Sequence, residues 1–336
     1  MATETSIPTP TPPPEPEAPA RRLGSPLSLL GAVISVVALA GVVWWALQQD
    51  PPRLPHTGAQ IAAMFGAIGC YALATLVRGE RWWRLLREQG GRPSRVDTQA
   101  LNVIGYMGNN VLPARAGDAI RVVLMAPLAA VSKRTVVGTL LAERLLDIAV
   151  ITVLFVVVGY GLLGEVGGGS VELIALVTAA GAAVAVLGWR LVRRNERLHA
   201  MLAPMAAATL ALRGRHGLVL LAMTLVVWAM EVACWQLVGA SVGLNMNPIE
   251  AAYIVALASV FALIPSGPGY AGTQDAAVAI GVKALGGTGA TAVSYVVMLR
   301  FVIVVPITAL GFALLAARYG GLGRLRGARL EARSQG

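Results

Sequence analysis

A chain of 336 residues that is 56% hydrophobic and 13% charged, with a mean hydropathy of +0.69, is not the composition of a water-soluble domain; the bilayer has to be part of its solvent. Its formal charge of +10 rests on 27 basic residues, all but Lys133 and Lys283 arginine, against 17 acids. In a membrane chain such an excess belongs to cytoplasmic loops facing anionic lipid headgroups, so nucleic acid is not the expected partner. Cys70 and Cys234 lie in apolar runs and His56, His199 and His216 are scattered, so no disulfide framework, metal site or cofactor is expected.

The first 24 residues carry prolines at 8, 10, 12, 13, 14, 16 and 19 and read as a disordered tail. Apolar runs then predict six spanning helices, at 27–47, 58–77, 135–163, 171–189, 217–240 and 290–316. The segment 78–95 interleaves Arg78, Arg81, Arg84, Arg87, Arg92 and Arg95 with Trp82 and Trp83, the pattern expected of a helix lying at cytoplasmic headgroup level. Residues 319–336 form a basic tail.

Two segments do not fit a simple crossing. Residues 97–131 and 248–285 are moderately apolar but interrupted near the middle by Asn, Pro and Gly. The 16 residues from Ile249 to Ile264 make roughly 24 Å of helix, short of the roughly 30 Å hydrocarbon core. Each segment therefore predicts a re-entrant hairpin.

Arginine placement orients this arrangement with both termini in the cytoplasm and the loops at 48–57, 161–170 and 241–248 outside. The order helix, helix, hairpin, helix then occurs twice, at about 27–163 and 171–316, and an odd number of crossings inverts the second copy. The fold class expected is all-α and polytopic: six transmembrane helices and two opposed re-entrant hairpins, in one membrane domain over 25–318. Sequence traces agree, since Leu112-Pro113 through Gly117-Asp118 matches Ile264-Pro265 through Gly272 to Asp275, and Arg144 matches Arg300 at a separation of 156 residues.

The residues able to carry chemistry fall in the interrupted segments and the helices after them. Charge at membrane depth costs at least about 2.5 kcal/mol per group, so it faces a partner or a wet cavity. Glu143 and Asp147 stand one turn apart, and Arg144 is three residues from Asp147, which permits a local pair. In the first hairpin Pro113 and Gly117 break the helix. Asn109, Asn110 and the helix N-terminus near Gly117 supply donors, and Arg115 and Arg121 supply positive charge, together suiting a phosphate. Asp118 in that first turn complements the helix dipole or serves as a cap. In the second hairpin Pro265 and Pro268 stop one helix, Gly267, Gly269 and Gly272 allow a tight turn, and Asp275 opens the next helix. Glu231 and Arg300, inside the flanking apolar runs, could pair.

At these residues the chain resembles the flippase-like transmembrane domain family named after the membrane region of lysylphosphatidylglycerol synthases. The likeness spans about 25–318 and rests on three blocks: Asn109 to Arg121, Glu143-Arg144-x-x-Asp147, and Pro265 to Asp275, where the family usually has Glu and this chain has Asp. The resemblance implies movement of an anionic phospholipid or polyprenyl-linked headgroup across a bacterial cytoplasmic membrane. It does not imply lysyl transfer, which the synthases add through a separate soluble domain; a stand-alone form is expected here.

Two other classes stay open. One is an integral-membrane lipid-modifying enzyme using paired carboxylates, for which no nucleophile–base arrangement is found in the sequence. The other is a non-transporting scaffold for a lipid- or glycan-synthesis enzyme. For a translocase, Arg144, Arg115, Arg121, Arg300, Asn109 and Asn110 are the headgroup contacts, and Glu143, Asp147, Glu231, Asp275 and Asp118 the charge network or ion-coupling groups.

Overall fold

The computed structural model describes residues 26–112, 116–163, 214–262 and 268–320. The tails, the predicted span at 171–189, Pro113, Arg115 and Pro265 lie outside these residues. Among the described residues the chain is all helical, in nine helices: α1 (Pro26–Ala46), α2 (Gly58–Glu88), α3 (Arg95–Val111), α4 (Ala116–Leu128), α5 (Lys133–Leu163), α6 (Gly214–Ser241), α7 (Pro248–Phe261), α8 (Thr273–Ala284) and α9 (Gly289–Tyr319). Three of them, α2, α6 and α9, are long and apolar enough to cross a membrane, which makes this a multi-pass membrane protein.

The helix starts are written in the sequence. Thr57 caps α2 and Gln60 reaches back to complete a capping box; Asn247 and Glu250 do the same for α7, whose Pro248 needs no donor there. Ser94 and Thr288 cap α3 and α9. At about 1.5 Å per residue, α3, α4, α7 and α8 reach only roughly 18 to 26 Å, whereas the 31-residue helices reach roughly 46 Å.

One expectation is overturned. Residues 78–88 are not a separate helix; they continue α2 without a break. The reason is a stripe at helical spacing, Ala67, Tyr71, Ala74, Arg78, Arg81, Trp82 and Leu85, which is buried throughout. Arg78 and Arg81 extend the packed face of a spanning helix, while Arg84, Arg87, Arg92 and Arg95 remain near its end, where Arg87 and Arg95 lie 5.0 and 4.3 Å from the Trp83 ring.

Packing is reciprocal. Helix α2 lies against α6; α3 packs on α9 as α7 packs on α5; and α4 meets α5 as α8 meets α9. Exchanging α2 to α5 for α6 to α9 leaves this pattern unchanged. The α2–α6 pair is antiparallel, for Gly66 lies against Leu237, Arg81 bonds Thr224 at 2.7 Å, and Glu88 lies 3.9 Å from His216.

Within each hairpin the helices close tightly. Gly117 sits in the first turn of α4 and, contrary to its reading as a breaker, serves as a seam: a Cβ there would strike the Gly105 carbonyl and the Asn109 amide of α3. Apolar side chains such as Phe65, Leu73, Leu225, Phe301 and Phe312 point outward, as a surface bathed in lipid requires.

Candidate functional site

Helix α5 carries three charges within little more than one turn, and each finds its partner on another helix. The Glu143 carboxylate accepts from Arg121 of α4 at 2.9 Å and lies 3.6 Å from Arg81 Nε of α2. Asp147 accepts from both terminal nitrogens of Arg81, at 2.8 and 3.3 Å, a bidentate pair. Arg144 reaches Asp118, in the first turn of α4, at 3.4 Å. The local pair of Arg144 with Asp147 or Glu143 is therefore not formed, because guanidinium groups from the facing helices take both carboxylates.

The result is a connected run alternating in sign: Asp147, Arg81, Glu143, Arg121, Asp118, Arg144. Most of it is dry, with Arg81, Arg121 and Glu143 side chains 2%, 7% and 7% exposed. Arg121 also lies 4.0 Å from the centre of the Trp82 ring. A buried charge without its partner would cost several kcal/mol, so this run is stable only as a unit.

The second half repeats the end of the run. Arg300 Nε donates to Asp275 at 2.6 Å, matching Arg144 with Asp118. Its other nitrogens donate to the carbonyls of Gly269 at 2.5 Å and Tyr270 at 3.3 Å, so Arg300 holds the tip of the second hairpin. That tip needs glycine: Gly269 and Gly272 have φ of 60° and 87°, and a Cβ on Gly272 would strike the α1 backbone at Ala38 and Leu39. Asp275 closes the turn by accepting from the Gly272 amide at 2.9 Å.

A third pair stands apart. Arg78 donates to Glu231 at 2.7 Å between α2 and α6, so the possible Glu231–Arg300 pair of the sequence reading is replaced by two others. Trp235 Nε1 also donates to Glu231, at 3.4 Å, and Arg78 lies 5.9 Å from the Tyr106 ring.

The two hairpins meet at their tips. A Cβ on Gly269 would stand 3.7 Å from the Asn110 carbonyl, and Asn110 Nδ2 donates to Thr308 of α9 at 3.1 Å. Asn109 Nδ2 donates to Asp118 at 3.4 Å. Among the described charged groups beside this junction Arg144 is the most open, its side chain 42% exposed against 28% for Arg300.

Of the six expected headgroup contacts Arg115 lies outside the described residues, and the other five separate. Arg121 is buried in the charge run, Arg300 is engaged with its hairpin tip, both asparagines are bonded within the junction, and Arg144, among the described residues, uses one nitrogen on Asp118. Sequence reasoning passed over Arg78, Arg81, Tyr106 and Tyr270; the buried stripe of α2 was the available signal for the two arginines. Among the described residues no group of three or more His, Cys, Asp or Glu side chains is arranged to hold a metal.

A family model described as the transmembrane region of lysylphosphatidylglycerol synthase matches residues 28–311. The chain belongs to that family. The match takes in every residue of the charge run and both hairpin tips. A curated relative, Glycosyltransferase AglD of Haloferax volcanii, is 31% identical over 153 residues, 45% of this chain. The aligned part is 24% of that relative's length, so the chain spans about a quarter of it. No solved structure matches the chain.

Proposed function

We propose that this family member is a lipid translocase of the bacterial cytoplasmic membrane, moving a phosphate-bearing headgroup past the junction of two re-entrant hairpins while the lipid tails stay in the bilayer. Its architecture is six spanning helices and two opposed hairpins in an inverted repeat, with both termini cytoplasmic. The reciprocal packing and the antiparallel α2–α6 pair support the inversion. Short paired helices whose tips abut support the hairpins, because irregular backbone at membrane depth has to be covered by protein or water.

The observation that carries the functional reading is Arg144: a guanidinium whose carboxylate contact among the described residues is the long one to Asp118, and which is 42% exposed beside the place where the tips meet. Arginine presents a planar fork that matches phosphate oxygens. Arg300 keeps the second tip in shape, and the run, three carboxylates against three arginines with Arg144 counted, leaves none of its carboxylates unpaired to repel an anion. The lipid leaves with its covalent structure intact. The cargo proposed is a phospholipid or a polyprenyl-linked lipid; the relative is named a glycosyltransferase, which supports a glycan-synthesis enzyme as partner.

Purified protein in vesicles tests this directly. Labelled lipid is expected to redistribute between leaflets without change of mass, and Arg144→Gln is expected to stop it. A new lipid species that depends on the protein, with no redistribution, would replace this reading with the enzymatic one.

A further inference from the structure

In the antiparallel α2–α6 pair, steps along one helix are matched by steps back along the other: Gly66 lies against Leu237, Arg81 against Thr224, and Glu88 beside His216. Four residues on from Gly66 is Cys70, and three back from Leu237 is Cys234. Both steps are about one helical turn, so the thiols fall opposite one another, and Cys70 lies within electrostatic reach of Cys234. They are the two cysteines of the whole sequence, and both are free. Each packs into the same apolar cluster, with Ala67, Tyr71 and Trp235. Gly66, Ala67 and Ala74, each one turn from Cys70, keep that face of α2 low; a disulfide needs such an approach, because its Cα atoms stand no more than about 7 Å apart.

We infer that Cys70 and Cys234 are a redox pair that closes to a disulfide across the α2–α6 seam, with a lipid-soluble quinone as electron acceptor. Two S–H bonds break and one S–S bond forms; the two electrons and two protons pass to the quinone, which leaves as the quinol. The product is uncharged, so it needs no counter-ion among apolar helices. Access favours an oxidant arriving from the lipid. Cys234 is fully buried, but Cys70 is half-buried, and beside it Leu73 is 51% exposed and nothing described stands within 4 Å of a Cβ on Gly69. Water-soluble glutathione, which keeps cytosolic thiols reduced, does not enter so apolar a seam. Resting on the translocase reading, a bond there ties the two proposed repeats together, opposes their relative movement and makes the oxidised form a resting state.

The full-length protein in vesicles is exposed to a ring-tetrasubstituted benzoquinone, then denatured and labelled with a maleimide. Two adducts are expected before exposure and none after it, with both restored by dithiothreitol in denaturant and a peptide map showing Cys70 joined to Cys234. Cys70→Ala and Cys234→Ala should each keep their one adduct throughout, since neither can close the bond. Two adducts surviving in the unmodified protein, loss of the adduct in either variant, or a bond between two chains overturns the pair. Hexacyanoferrate(III), confined to water, should close the bond more slowly; equal or faster closure overturns the quinone as acceptor.

Lipid flux in the same vesicles should be lost on oxidation and return on reduction, while Cys70→Ala keeps its flux in the presence of the quinone. Undiminished flux through fully linked protein overturns the resting state and leaves the disulfide standing. No flux through the reduced protein fails the translocase reading, and the adduct count still decides the bond.

Discussion

At the level of single residues, the arginines of this protein divide by what they touch. Arg144→Lys keeps a positive charge but loses the fork, so part of the transport rate should survive. Arg144→Gln should lose most of it while still accumulating in the membrane. Removing one good charged contact costs on the order of 1.5 to 3 kcal/mol, a roughly ten- to hundredfold slowing if it acts at the limiting barrier. Vesicle flux with matched protein amounts measures this. The rival view, in which Arg144 only neutralises Asp118, expects the pair Arg144→Gln and Asp118→Asn together to restore full flux.

Arg78 behaves differently because it is buried against Glu231, each side chain 11% exposed. Glu231→Gln or Arg78→Gln leaves one buried charge uncompensated, and the expected loss is about 3 to 5 kcal/mol of stability. The double replacement should recover much of that. Thermal unfolding in detergent compares the three variants. Recovery in the double variant without recovery of flux would give this pair a role in the transport cycle beyond holding α2 to α6.

At the level of elements, the hairpins depend on close backbone approach. Gly117→Ala should split the α3–α4 seam, since its Cβ would fall on the Gly105 carbonyl and the Asn109 amide, backbone atoms that cannot step aside. Overpacking of this kind costs about 1 to 3 kcal/mol, and here it would also displace Asp118 and Arg121. Gly69→Ala in α2 is the control, because nothing lies within 4 Å of its Cβ position and alanine is the better helix former. Yield and melting temperature should fall for the first and hold or rise for the second.

The short paired helices were legible in the sequence to within a few residues. Interruptions predicted within 97–131 and 248–285 correspond to α3–α4 and α7–α8, and the predicted spans at 217–240 and 290–316 correspond to α6 and α9. Length, apolar runs and helix-breaking residues are local properties, so they survive without any knowledge of neighbours. The reading of 78–88 failed for the converse reason. An arginine-rich stretch after an apolar run looks like an interface when only composition is weighed, and it took the burial of Arg78 and Arg81 against α5 and α6 to show a helix that continues.

At the level of the whole molecule, the proposed inverted repeat makes a prediction about sidedness. Reporter fusions after Ala130 should read cytoplasmic, and fusions after Leu285 should read external. A fusion after Ala130 that reads external, or one after Leu285 that reads cytoplasmic, would turn that hairpin into a crossing and remove the inversion. The separation of 153 residues between Arg78 and Glu231 is close to the 156 that relates Arg144 to Arg300. In the proposed inverted repeat, the pair that joins α2 to α6 would lie near the point where the two copies are exchanged.

By itself the sequence determined that this is a polytopic helical membrane protein, where several of its helices start, and which charged residues have to find partners, because hydropathy, capping residues and the cost of burying charge all act over one or two turns. It also carried the match between Arg144 and Arg300, since repeats leave a trace in residue order. Which carboxylate each arginine answers was decided only by tertiary structure. Asp147 stands three residues from Arg144 yet belongs to Arg81, 66 residues away, and Glu231 belongs to Arg78 rather than Arg300. Those choices depend on how each helix is rotated about its axis and which neighbour it faces, and no local pattern encodes either.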